Sequence, residues 1–365
     1  MDSELGPLLP LFERERGAGR AMALGILVHT AGSTYRKPGA MLLIAGDGEY
    51  AGLISGGCLE GDLGERARAV IATGRAALVT YDLRNSDDLV WGLGLGCEGA
   101  MHILLLRVGP REEWQPLDSL AAALAAHNPA AIGVVTESRD EQMPVGALLL
   151  PQTGAAARAL PVTAAGALLE RHALAALAAA PRSGTVGWLE GPGARWKLLL
   201  LPLSLPPRLL VLGAGPDALP LVDFAARLQW RVTLADHRPA YAVAAHFPLA
   251  ERVLLARPEE IAQALDLAQF TAAVVMSHHL PSDLAYLRAL SASPLAYIGL
   301  LGPPARREKL LSELGIDADR LRPRLRAPVG FNLGGRTPES IALAIVAEIH
   351  AFVHGMQQAR TEKRE

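Results

Sequence analysis

RLLVLGAGPDALPLVDFAARLQWRVTLADHRP, residues 208–239, reads as strand, glycine turn, helix, strand, and it decides the fold class of the second half of the chain. Within it, Gly213-Ala214-Gly215-Pro216-Asp217-Ala218 is a G-x-G-x-x-A placed after a strand and before a helix. Glycines there let the backbone approach a ligand closely, and the free N–H groups of a helix start attract anions. Asp236 closes the next strand 21 residues after Gly215, the spacing of an acid that binds an adenosine ribose. Two neighbours bear on that reading. Asp217 stands where a pyrophosphate would approach and would repel it, while Arg238 favours a 2′-phosphate, so NAD and NADP both stay open.

Working outward, two further strand-to-helix stretches follow: AAVVMSHHLPSDLAYLRAL (272–290) and AYIGLLGPPARREKLLSELG (296–315). Strands alternating with helices predict a doubly wound parallel sheet, so residues 206–365 are expected to form a Rossmann-like α/β domain. The last helix carries its own signals. Thr337 is its N-cap, Pro338 its first residue and Glu339 part of its first turn, ahead of an apolar face of Ile341, Ala344, Ile345 and Ile349. Ser277-His278-His279 and Gly299-Leu300-Leu301-Gly302 follow strands, at the carboxyl ends where such sheets bind ligands. His278 there can act as acid, base or ligand near neutral pH, or simply line the lip of the crevice.

Upstream of Pro206-Pro207 the pattern changes. ALGILVHT, AMLLIAG, YAGLISG and AMHILLLRV read as strands joined by Gly/Pro turns, and residues 59–74 as a helix stopping at Gly74. A weak internal repeat runs through this region: residues 131–151 echo 23–44, and 197–203 echo 102–108. Residues 1–205 are therefore expected to be a mixed α+β domain built from two related halves, about 20–110 and 125–205.

The chemistry sits in the first half alone. Ser55-Gly56-Gly57-Cys58-Leu59-Glu60-Gly61 follows a strand and opens the 59–74 helix. A thiol at a helix start has its thiolate stabilised, which makes it a nucleophile or a soft-metal ligand. The plain alternative is a tight turn holding a small buried Cys. Gly92-Leu93-Gly94-Leu95-Gly96-Cys97-Glu98-Gly99 puts four glycines ahead of a strand, shaped either for backbone contact with a ligand or as a flexible turn. Gly32-Ser33-Thr34-Tyr35-Arg36-Lys37-Pro38-Gly39-Ala40 offers cations and hydroxyls beside a turn, enough to grip a phosphate or merely to be solvated.

Composition narrows the classes. Half of the 365 residues are hydrophobic and the net charge is −2, a globular chain without the basic stripe that nucleic acid or an anionic membrane would need. No window has the apolar length of a membrane span, and the N-terminus lacks the basic start and long apolar run of a signal peptide, so the expectation is a cytoplasmic protein. The two cysteines build no disulfide framework and have no structural-zinc spacing.

Taken together, GSTYRKPGAMLLI, GLISGGCLEGDL and GLGCEG, then LLVLGAGPDALPLVDFA, VTLADHRPAY, VVMSHH, YIGLLGPPARREKL and TPESIALAIVAEI, resemble the XdhC/CoxI family along both ends of the chain. One departure is local: the family's Gly-Cys-Gly-Gly is here Gly96-Cys97-Glu98-Gly99. The resemblance implies a chaperone, without turnover of its own, that binds molybdenum cofactor (molybdopterin), assists its sulfuration and delivers it to a xanthine dehydrogenase-type molybdenum hydroxylase. A cysteine desulfurase as second partner and a homodimer are further expectations. By the same carry-over Ser55, Gly56, Gly57, Cys58, Glu60, Gly96 and Cys97 are candidates for the cofactor site, with Cys58 and Cys97 as metal ligands. Gly213, Gly215, Asp236 and His278 are candidates for a nucleotide-type site. The alternative is an NAD(P)-dependent oxidoreductase using the Rossmann domain, with His278 as acid or base.

Overall fold

The structure, a computed structural model, describes residues 4–57, 59–82, 99–141, 143–150, 187–190 (backbone only) and 195–355. The chain divides into two compact units, Met1–Leu205 and Pro206–Glu365.

In the first unit, α1 (Leu9–Gly17) precedes β1 (Met22–Gly32), β2 (Met41–Ala45), β3 (Tyr50–Gly52), α2 (Glu60–Thr73), β4 (Ala77–Asp82) and β5 (Gly99–Val108). These strands form an antiparallel sheet in the order β3-β2-β1-β5-β4. One face packs Leu27, Leu42, Ile103 and Leu105 against Leu63, Ala67 and Val70 of α2. The helix ends where the sequence placed its stop, at Gly74, whose φ of 72° is left-handed and suits a residue without Cβ. After α3 (Leu117–Ala126), β6 (Ala131–Ser138), β7 (Leu148–Leu149), β8 (Gly187–Glu190) and β9 (Trp196–Pro202) make a second antiparallel sheet, β7-β6-β9-β8. Leu24, Ile26, Leu104 and Leu106 of the first sheet share one core with Ile132, Val134, Leu199 and Leu201 of the second.

Both sheets use the same local device. In β1 a bulge follows Leu27, whose N–H donates to Ala40 at 2.9 Å and whose carbonyl accepts from Gly39 at 2.8 Å. In β6 a bulge follows Val135, which makes the matching pair with Ala147 and Gly146 at 3.0 and 2.8 Å. Gly39 and Gly146 both take left-handed φ, 101° and 89°, which explains why each polar loop carries a glycine just before its return strand.

The second unit strings β10 (Arg208–Leu212), α4 (Ala218–Arg227), β11 (Arg231–Asp236), β12 (Arg252–Leu255), α5 (Ile261–Ala264), β13 (Ala272–Val275), α6 (Leu280–Ser291), β14 (Ile298–Leu300), α7 (Pro304–Leu314), α8 (Asp317–Leu321), β15 (Leu325–Arg326) and α9 (Pro338–Val353). Its six strands are parallel in the order β12-β11-β10-β13-β14-β15. Successive residues of the central strands face opposite cores. Leu209, Val211 and Val274 pack with α4 and α9, while Leu210, Leu212 and Val275 pack with α5 to α8. A strand covered on both sides reads as a continuous apolar run, which is the reason RLLVL and AAVV show no alternation. Each such fully buried Leu or Val contributes about 1.5–3 kcal/mol. The chain order reverses between β10 and β13, so their carboxyl ends mark the switch point of a doubly wound sheet. The α9 cap also forms as read: Thr337 Oγ1 accepts from Ser340 N at 3.3 Å.

Candidate functional site

Each unit carries its own cluster. In the first, β1, β3 and β4 run one way and β5 the other, so the carboxyl ends of the three and the amino end of β5 share one end of the sheet. From that end leave the Ser55–Leu59 loop, the 33–40 turn, and the segment joining Asp82 to Gly99. Tyr81 donates its hydroxyl to Asp62 Oδ2 at 2.5 Å, which fastens the first turn of α2 to the end of β4. Arg66 Nε holds the same oxygen at 2.8 Å. At the other end of the segment, a Cβ on Gly99 would lie 2.6 Å from Thr34 Cγ2, so only glycine admits the 33–40 turn. In that turn Arg36 is paired with Glu4, whereas Lys37 is exposed.

Glu60 organises the loop. Its side chain is buried, and its oxygens accept from Ser55 N at 3.0 Å, Ser55 Oγ at 2.5 Å and Leu59 N at 3.1 Å, with Ile54 N at 3.4 Å. Burial pushes this carboxyl upward, but the Ser55 hydroxyl and the surrounding N–H groups outweigh it and hold it below the ordinary carboxylate range. The loop is thus tied at Ser55 and Leu59 by one buried carboxylate. Gly56 and Gly57 are both exposed, no described residue lies within 4 Å of where their Cβ would be, and Gly57 has φ 104°. Glu60, a candidate for the cofactor site, spends its carboxylate here on Ser55 and Leu59. Cys58, Gly96 and Cys97 lie outside the described residues. Among the described residues no group of three or more His, Cys, Asp or Glu gathers as a metal site.

In the second unit the glycine turn lies against the end of β13. Gly213 has φ 120°, and a Cβ there would sit 2.6 Å from the Met276 carbonyl oxygen, so the β10 and β13 ends meet only because this residue is glycine. Asp236 is wholly buried. Its Oδ2 accepts from Ala214 N at 2.8 Å and Arg238 Nη2 at 2.7 Å, and its Oδ1 from Arg238 N and Nε, both at 2.9 Å. Burial raises this carboxyl, yet the Arg238 guanidinium and the Ala214 and Arg238 N–H groups bring it below its ordinary value. Arg238 in turn lies over the Tyr241 ring at 3.9 Å. His278 takes φ 58° and places Nε2 2.7 Å from Asp217 Oδ2, bridging the glycine turn and the end of β13. Behind them, buried Asp283 accepts from Ser277 Oγ at 2.5 Å and from Arg306 Nε at 3.0 Å.

Sequence reasoning missed Asp62, Tyr81, Asp283 and Arg306. Only Asp283 had a signal, standing six residues beyond Ser277 in the first turn of a helix.

Two family models match the chain. Residues 16–82 match the family described as XdhC and CoxI, and residues 209–349 match the XdhC Rossmann domain. A probable xanthine dehydrogenase subunit from Bacillus subtilis is 32% identical over 326 residues, covering 89% of this chain and 91% of that protein. The Escherichia coli molybdenum cofactor insertion chaperone PaoD is 23% identical over 338 residues, 91% of this chain and 83% of its own. A solved Bacillus halodurans structure described as a xanthine dehydrogenase superposes with a TM-score of 0.75 at 28% identity, covering 99% of this chain and 98% of the other. With these likenesses running the length of both units, the chain belongs to the XdhC and CoxI family.

Proposed function

We propose that this protein is a molybdenum cofactor-binding accessory protein for a xanthine dehydrogenase-type molybdenum hydroxylase. The observation that carries the reading is the convergence at one end of the five-stranded sheet. The Ser55–Leu59 loop and both ends of the segment bearing Gly96 and Cys97 leave the fold there. The names of the relatives, a cofactor insertion chaperone and a xanthine dehydrogenase subunit, support it.

The cargo is anionic through its phosphate and soft through its sulfur-ligated metal, and the loop fits both characters. Exposed Gly56 and Gly57 carry no side chains of their own to cover their backbone N–H groups, which suits an approaching anion. The Cys58 thiolate, at the start of α2, is the leading ligand for the soft metal, with Cys97 as the second candidate. Buried Glu60 fixes the loop ends through hydrogen bonds to Ser55 and Leu59. No residue need perform turnover in this role; binding, shielding and release suffice. Assistance in sulfuration, a cysteine desulfurase as donor partner and a homodimeric state belong to the same proposal.

The test is mass analysis of protein purified without oxygen from cells making the cofactor. Bound pterin with molybdenum is the expected result. Protein consistently free of both, while a hydroxylase in the same cells is fully loaded, would overturn the reading.

A further inference from the structure

We infer that the Rossmann unit is closed to NAD and NADP by its own side chains, the Asp217 carboxylate standing in the place of the pyrophosphate. This rests on the second unit alone and is independent of the cofactor-carrier reading.

A dinucleotide needs a bare glycine turn for its phosphates and an acceptor with spare lone pairs for its ribose. Neither is offered. Gly215 is the glycine whose missing Cβ should leave room for the phosphates. A Cβ there would lie 2.6 Å from Asp217 Oδ1, so the carboxylate has folded back over the turn and fills that room. It is held by His278, whose Nε2 lies 2.7 Å from Asp217 Oδ2. The pair therefore spans the switch point between the glycine turn and the end of β13. A pyrophosphate entering would meet a like charge in contact and would have to displace a hydrogen-bonded partner.

The ribose side carries a weaker obstacle, an exchange of hydrogen-bond partners with no like charge to displace, so Asp217 is the block that decides. Asp236 is buried and each of its oxygens already accepts two N–H donors, three of the four coming from Arg238. Arg238, which by sequence favoured a 2′-phosphate, has turned its guanidinium inward onto Asp236 and lies against Tyr241. The fold is thus that of a nucleotide-binding domain while the anion subsite is self-occupied.

The test is fluorescence titration of the full-length protein with NADH and with NADPH. Wild type is expected to show no saturable binding below about 1 mM, and Asp217→Ala to bring Kd to about 0.1 mM or lower, since removing one like charge in contact is worth at least about tenfold. Asp217→Asn, which keeps the shape and loses the charge, is read in the same way if the alanine variant fails to fold. Saturable micromolar binding by wild type would overturn the inference. So would a folded Asp217 variant that binds no better than wild type.

Discussion

Replacing Glu60 with Gln isolates what the buried carboxylate does for the Ser55–Leu59 loop. The carboxylate accepts from Ser55 N, Ser55 Oγ and Leu59 N at 3.0, 2.5 and 3.1 Å. A glutamine has one oxygen to offer and turns an NH2 towards donors that previously had an acceptor. Hydrogen bonds to a charged acceptor are worth about 1.5–3 kcal/mol against about 0.5–1.5 for neutral ones, and a stranded buried donor costs about 1–3 more. Partial relaxation of a surface loop brings the sum to about 3 kcal/mol, or about a hundredfold in the local opening equilibrium. Hydrogen exchange read residue by residue is the assay. The amides of Ser55 and Leu59 in Glu60→Gln should exchange about a hundredfold faster, while those of Leu104 and Leu105 in the central sheet stay as in wild type. Exchange at Ser55 and Leu59 unchanged within about threefold would refute the assignment of Glu60 as the tie of this loop.

Three further outcomes follow from single positions. Gly213→Ala must fit a Cβ 2.6 Å from a carbonyl oxygen at φ 120°, which should cost about 2–5 kcal/mol. Gly56→Ala, with open space around it, should melt within about 0.5 kcal/mol of wild type, and equal melting of the two variants would contradict the packing at the β10 end. Glu15 is held down to about 2 by Arg20, against the cost of burial and with help from Arg14. A carboxyl depressed below its unfolded value of about 4.3 stabilises the fold above that pH, and the contribution is lost as pH falls towards the folded value. Acid unfolding should therefore flatten between those limits in Glu15→Gln, and identical acid profiles would remove the claim.

What was legible in the sequence was whatever depends on near neighbours. The strand–turn–helix placement of the G-x-G-x-x-A, the Gly74 stop and the Thr337-Pro338 start are each decided within a few residues, and each takes the local shape that was read. Strands of the parallel sheet showed themselves through length of apolar run, but β12 and β15 did not. Arg252–Leu255 is half-covered at the sheet edge, and Leu325–Arg326 is two residues long. Side-chain commitments at a distance were not legible. The partner of Asp217 is 61 residues away in His278, and nothing in either local stretch announces it. Asp236 had the expected spacing, yet its accessibility depended on which way Arg238 turned, and a two-residue offset permits both directions. For Glu60 the type and place were noticed, while its hydrogen bonds to its own loop were not legible. A carboxylate five residues beyond Ser55 looks the same in sequence whether it faces a ligand or the backbone of its own loop.

The central claim is that the Ser55–Leu59 loop holds molybdenum cofactor through Cys58, and cofactor retention by Cys58→Ser tests it most directly. Serine is nearly isosteric and tolerated at helix starts, so the variant should melt as wild type does. A neutral hydroxyl is a poor ligand for a soft metal, so after oxygen-free purification it should carry little of the molybdenum and pterin found on wild type. Equal cofactor content in the two proteins, with equal melting, would leave Cys58 a structural residue and place the binding site elsewhere.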